Sequence, residues 1–170
     1  MHSVWHRANT LATFFGTVAG VLAILTTSTD LLHKADPKVK ISVAEVKKLS
    51  TYQGTRDQAV ITFNLDADLR SVFSWNTKQL FVYLQAEYST KSNGVNQVVL
   101  WDSIVQQKDK AYIRLKGHKT KYAFIDHGTG MHRADMNLTL VWDVMPRVGY
   151  LYQDQRSVNI GSLKALQSQA

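Results

Sequence analysis

The stretch "QLFVYLQAEYSTKSNGVNQVVLWDSIV", Gln79 to Val105, decides the fold, because it reads as two apolar strands around a polar turn. Successive strand side chains point to opposite faces, so Leu80, Val82, Leu84, Ala86 and Tyr88 share one face. Phe81 and Tyr83 make the other face apolar over the first half, which places this strand in the middle of a sheet. Asn93-Gly94, a pair favoured in turns that need positive φ, separates it from Val98-Val99-Leu100-Trp101. The segment is predicted to be a β-hairpin. Its polar part, Ser89 to Asn96, could be a catalytic site, a ligand site or the corner of a scaffold.

The same alternation continues outward. Val39, Ile41 and Val43 share a face, and Ile61, Phe63, Leu65, Ala67 and Leu69 share another, opposed by Thr62, Asn64, Asp66 and Asp68. Further strands fit Ala111 to Lys116, Lys121 to Asp126 and Asp135 to Met145, with breaks at Gly117 and at His127-Gly128-Thr129-Gly130. Many strands with short breaks and no convincing helix predict an all-β domain, an antiparallel β-sandwich with a barrel as the alternative. A chain of 170 residues, 45% hydrophobic, has room for one such core, and with no cysteine the core holds without disulfides or thiolate metal sites. The net charge of +7 is scattered rather than gathered in blocks, so nucleic acid is not an expected partner.

Ahead of the strands the pattern changes. "ANTLATFFGTVAGVLAILTTST", Ala8 to Thr29, contains no acidic, basic or histidine residue, and 22 residues at the helical rise reach about 33 Å, enough to cross a bilayer core. A cleaved signal peptide would have a shorter apolar region and a small-residue cleavage site, and Thr26-Thr27-Ser28 is a poor one. An uncleaved anchor is therefore predicted. At 100° per residue Ala12, Gly16, Ala19, Gly20, Ala23 and Thr27 form a smooth face opposite Leu11, Phe14, Phe15, Val18, Val21, Leu22 and Leu25. Ala12, Gly16, Gly20 and Ala23 are the residues expected to pack against another membrane helix, since small side chains allow close approach. Charges flanking the span, Arg7 before it and Lys34, Lys38 and Lys40 after it, taken alone would put the C-terminal domain in the cytosol. That count governs short loops, however, and large domains translocate largely regardless of charge. Asn137-Leu138-Thr139 is a sequon that would be glycosylated only in a secretory lumen.

The chemistry of catalysis leaves little trace. Asp126-His127-Gly128-Thr129-Gly130 is similar to the His segment of subtilisin-like proteases, but no accompanying Ser segment occurs, and a Gly-rich turn is the simpler reading. His127 and His132 lack an evident third metal ligand, and Asp66 with Asp68 reads as a solvated strand face. Ser28 lies near the membrane end of the helix without the Ser-Met motif of signal-peptidase catalytic chains. Nucleophile-elbow, P-loop, zinc-protease and dinucleotide motifs are missing, so no catalytic residue, metal or cofactor is predicted. Trp75, Tyr83, Tyr88, Trp101 and Trp142 are read first as core aromatics.

"RANTLATF" before one span, then "ITFNLDADLRSVFSWNTKQLFVYLQAEYSTKSNGVNQVVLWDSIV", "KTKYAFID" and "MNLTLVWDVMP", closely resembles the subunit 3 family of the signal peptidase complex, over roughly Met1 to Leu151. These are the single-pass, glycosylated accessory subunits of the eukaryotic endoplasmic-reticulum signal peptidase. The resemblance implies a type II membrane protein in that membrane, its C-terminal domain in the lumen and Asn137 glycosylated. It implies the catalytic subunit and the other accessory subunits as partners, with membrane lipid and signal-peptide-bearing nascent chains as further contacts. The cleavage itself would belong to the catalytic subunit. On this reading residues 1–9 are a short cytosolic N-terminus, 10–29 the transmembrane anchor, 30–38 a connector, 39–150 the luminal sandwich and 151–170 an atypical tail. The tail "YQDQRSVNIGSLKALQSQA" departs from the final strand of the family, which raises the expectation of an exposed sheet edge. Ser89, Asn93, Gly94 and Asn96 of the hairpin are candidate partner contacts. The rival readings are a freestanding luminal recognition module and a membrane-anchored serine hydrolase.

Overall fold

Ser3 opens the first helix by accepting the backbone N–H of His6, and the helix, α1, then runs over Val4–Leu31. The computed structural model describes residues 3–52 and 54–168. At 28 residues α1 is about 42 Å long. Most of its hydroxyls suit an apolar surrounding because they donate back to the preceding turn: Thr10 to the His6 carbonyl, Thr13 to Asn9, Thr17 to Thr13, Thr27 to Ala23, Ser28 to Ile24 and Thr29 to Thr26. None of its residues is buried within the chain, and it is long and apolar enough to cross a membrane.

The rest is a two-layer antiparallel β-sandwich. Strands β1 (Lys38–Tyr52), β2 (Arg56–Asp68), β3 (Thr77–Tyr88), β4 (Asn96–Val105), β5 (Tyr112–Lys119), β6 (Phe124–Ile125), β7 (Met136–Pro146) and β8 (Tyr152–Gly161) are followed by a short helix, α2 (Leu163–Gln167). One sheet has the order β1-β2-β5, with β6 also paired to β2, and the other has the order β4-β3-β7-β8. Two separate sheets decide between sandwich and barrel. Ile61, Phe63, Leu65 and Ala67 of β2 meet Leu80, Val82, Leu84, Leu138, Leu140 and Trp142 in one core. The strand apolar on both faces is central, flanked by β4 and β7.

Four sequence expectations change in detail. The hairpin at Tyr88↔Asn96 is correct, but Gly94 does not take a positive φ, and seven residues rather than a tight pair connect the strands. Gly117 does not break a strand; it sits inside β5 at φ 56°, where a register shift against β2 forms a bulge and its N–H bonds Asn64 Oδ1 at 2.8 Å. A hairpin over Tyr52, Gly54 and Arg56 extends β1 and β2, and two bulges in β1 hide it by interrupting the alternation. Finally, the tail supplies β8, which pairs with β7 from Val144↔Tyr152 to Met136↔Gly161, and Leu163 of α2 closes the core. β8 is polar because it is an exposed edge, where Asp154, Arg156 and several amides discourage further pairing.

Candidate assembly surfaces

The first surface is the smooth face of α1. Ala12, Gly16 and Gly20 are exposed and Ala23 is half-buried. A Cβ built on Gly16 or Gly20 would meet no atom within 4 Å. The chain itself therefore leaves this face open from Ala12 to Gly20, while the loop between β7 and β8 approaches it at Ala23 and Thr27.

The second is the junction between α1 and the sandwich, which the sequence did not announce. Asp30 Oδ1 accepts the Ser74 hydroxyl at 2.5 Å and its Oδ2 accepts the Asn76 amide at 3.0 Å. The same Asn76 amide donates to the Val148 carbonyl at 2.8 Å, its Oδ1 accepts the Val148 N–H at 3.2 Å, and its backbone carbonyl accepts Arg147 N–H at 2.7 Å. Below it, His33 bonds the Ser71 carbonyl through Nε2 at 2.8 Å, and the Asp36 N–H donates to the Ser71 hydroxyl at 3.2 Å. Residues 30–38 are thus a bonded joint, and the helix leaves the sandwich in a defined direction.

The third surface lies at the opposite end. β3 starts beside Asn76, and its twelve residues carry the hairpin loop about 36 Å away from the helix end. Ser89 Oγ donates to the Gly94 carbonyl at 2.5 Å, the Thr90 N–H donates to the Asn93 carbonyl at 2.9 Å, and Asn96 Nδ2 donates to the Tyr88 carbonyl at 3.2 Å. The loop is held by its own side chains, which replace the positive-φ turn. Asn137, beside Glu87 in the register of β7, is brought to this loop. It lines a recess of about 320 Å³ with Ser89, Gly94, Asn96 and Asp135. Its Oδ1 accepts from Asn159 Nδ2 at 2.8 Å, and Thr139 of the sequon is fully buried, its hydroxyl bonded to Ser157 at 3.0 Å. Ser89, Gly94, Asn96 and Asn137 therefore form one cluster, remote from Gly16 and Gly20.

Among the described residues no histidine is set between a serine and a carboxylate as a hydrolase would need. Among the described histidines His132 is the one that approaches a carboxylate, with Nδ1 3.8 Å from Asp57 Oδ1. Its Nε2, which a serine hydroxyl would need to face in a triad, is 3.2 Å from the Gln58 carbonyl and so carries the proton as a donor. His127 is exposed on the neighbouring turn, and the Ser28 hydroxyl is bonded within α1. The Asp126–Gly130 segment is a clamped turn: Asp57 N–H bonds the Gly128 carbonyl at 3.0 Å, Asp126 N–H bonds the Asp57 carbonyl at 2.8 Å, and Gly130 N–H bonds Asp57 Oδ2 at 2.7 Å. Of the aromatics, Tyr88, Trp101 and Trp142 are in the core, Tyr83 is half-buried with its hydroxyl accepting from Gln153, and Trp75 is exposed.

The profile of a family described as "Signal peptidase subunit" matches residues 1–164. The chain is 42% identical over 157 residues to a protein of Gallus gallus named signal peptidase complex subunit 3, covering 89% of this chain and 87% of the relative. It is 41% identical over 157 residues to the protein of the same name from Homo sapiens, with the same coverage. With the Caenorhabditis elegans protein of that name it shares 41% over 164 residues, 92% of this chain and 91% of the relative.

Proposed function

The chain belongs to the signal peptidase subunit family, and from that premise we propose that it braces the catalytic subunit of the signal peptidase complex. It is a non-catalytic accessory subunit of the endoplasmic-reticulum complex, anchored by α1 with its β-sandwich in the lumen. The observation that carries the bracing role is the bonded joint at Asp30, Ser74 and Asn76. A flexible tether would only raise local concentration, whereas a fixed angle between membrane helix and luminal domain can hold a partner at one height above the bilayer. The test is affinity purification of the tagged full-length chain from gently solubilised microsomes, with mass spectrometry and a signal-peptide cleavage assay. Co-purification of the catalytic subunit with cleavage activity supports the reading. A solitary chain speaks for the freestanding module instead.

Ala12, Gly16, Gly20 and Ala23 receive the transmembrane contact with another subunit of the complex. Replacing both glycines, Gly16→Ile with Gly20→Ile, puts branched side chains where backbones would meet. The expected loss is about 1–2 kcal/mol of helix packing, roughly a tenfold drop in recovered partner, with the chain still membrane-inserted. Unchanged recovery would count against this face.

Asn137 is assigned as the glycan site. Because the Thr139 hydroxyl is buried and bonded in the folded strand, the sugar is added before β7 closes onto the sheet. Asn137→Gln is expected to abolish the glycosidase-sensitive shift on gels while leaving melting within about 1 kcal/mol, since one exposed hydrogen bond to Asn159 is lost. A glycan in this recess leaves the loop tip, with Asn93, as the accessible part of the hairpin for luminal segments of the complex or for a nascent chain. Recovery of an intact, active complex carrying Ser92→Ala and Asn93→Ala would remove that contact from the proposal.

A further inference from the structure

Gly149, in the loop between β7 and β8, stands so close to α1 that a Cβ there would lie 2.9 Å from Thr27 Oγ1 and 3.3 Å from its methyl carbon. Its φ of 118° is also one that L residues rarely adopt, so both the contact and the backbone require glycine. Val148 and Gly149 share a recess with Ala23, Ile24, Thr27 and Ser28, which sets the loop beside the last turns of the uncharged run. At 1.5 Å per residue Ala23 lies about 9 Å before Thr29, where that run ends. The run itself, about 33 Å, is matched to a hydrocarbon core of about 30 Å, so the level of Ala23 to Ser28 is the luminal margin of the bilayer rather than the lumen.

The loop exposes the side chains suited to that level. Val148, Tyr150 and Leu151 are 40%, 55% and 65% exposed, and Trp75, next to Asn76 at the same joint, is 69% exposed. Tyrosine and tryptophan favour the headgroup layer, where the ring body is shielded and the polar tip stays wet. The long stem of Arg147 can carry its guanidinium outward to phosphates. We infer that the β7–β8 loop is a second membrane contact, with Val148, Tyr150 and Leu151 seated in the luminal interfacial layer of the bilayer beside α1. The sandwich then rests on the membrane at two points, which fixes its tilt as well as its height.

The chain has no cysteine, so one introduced thiol can carry a nitroxide. Full-length chains bearing Val148→Cys, Leu151→Cys, the distal control Ser92→Cys or the span control Phe15→Cys would be labelled and reconstituted with the partner subunits in phosphatidylcholine nanodiscs. Collisions with oxygen, which concentrates in lipid, and with a water-soluble nickel chelate would be measured at each site. Positions 148 and 151 are expected to be rich in oxygen collisions, with nickel collisions at least about tenfold below those at position 92, the equivalent of about 1.4 kcal/mol of exclusion. Nickel access equal to that at position 92 places the loop in water and overturns the inference. Low collision with both reagents means that a partner subunit covers the loop, and overturns it too. Nickel access at position 15 would show that α1 does not span, a separate failure that removes the membrane reference for the loop.

Discussion

Replacing Asn76 by alanine is expected to lower the melting temperature of the full-length chain by about 10 °C and to reduce cleavage by the complex beyond what unfolding alone explains. Asn76 is almost fully buried, and its amide serves Asp30, the Val148 carbonyl and the Val148 N–H together. A hydrogen bond to a charged acceptor contributes about 1.5–3 kcal/mol and a neutral one about 0.5–1.5 kcal/mol. Part of this is recovered by water, since Val148 is at the rim, so a net loss of about 3 kcal/mol is reasonable, and each kcal/mol corresponds to roughly 4 °C in a domain of this size. Asn76→Asp separates bonding from packing. It keeps the shape but sets a second carboxylate against Asp30, and it should be at least as damaging. Melting followed by near-ultraviolet circular dichroism in detergent gives the stability change, and a cleavage assay of the reconstituted complex gives the function. Wild-type melting in the alanine variant would mean the joint is not bonded in solution. Lowered melting with full cleavage at a temperature where the domain is folded would leave the sandwich intact and reject the brace.

What the sequence disclosed and what it concealed follow from how each contact is coded. The strands of the core were legible because Ile61 to Leu69 and Leu80 to Tyr88 alternate without interruption. The span was legible from the uncharged run alone. β1 was only half visible, because register shifts between Val43 and Glu45 and between Val46 and Lys48 break the period that identifies a strand. β8 was concealed for a different reason: "YQDQRSVNIG" borders solvent on its edge, so no apolar face marks it. The joint was not readable at all. The bonds from Asp30 to Ser74 and Asn76, and from Asn76 to Val148, span 44 to 72 positions, and polar contacts over such distances leave no periodicity. The family resemblance could be read from motif order, but it supplied no such geometry.

Asp57→Asn is expected to cost about 2–3 kcal/mol at neutral pH, and that cost should shrink in acid. The carboxylate accepts Thr51 Oγ1 at 2.8 Å and Gly130 N–H at 2.7 Å on its two oxygens, with His132 Nδ1 at 3.8 Å. An amide can keep the Gly130 N–H on its one acceptor, but its Nδ2 then faces Thr51, whose hydroxyl must turn from donor to acceptor, and both bonds lose the strength that the carboxylate charge lends them. The pH dependence follows from the same contacts. Burial pushes the Asp57 carboxyl up, but the Gly130 and Thr51 hydrogen bonds and the nearby His132 outweigh it and hold the group below the ordinary value of 3.8. A carboxyl depressed in the folded state contributes stability that is complete above its unfolded value, about 3.9, and is lost as pH falls through the folded value. The gap in melting temperature between wild type and Asp57→Asn should therefore be at its full size at about pH 5 and should narrow below about pH 4. Asp68, held at about 2 by hydrogen bonds from Arg70, and Asp102, lowered by Lys121 and Tyr122, steepen acid unfolding in the same direction. Both are present in the two proteins and cancel in the difference, so the narrowing reports Asp57. A gap that keeps its full size to pH 2 would assign the cost to altered packing of the Asp126–Gly130 turn rather than to the charge that clamps it.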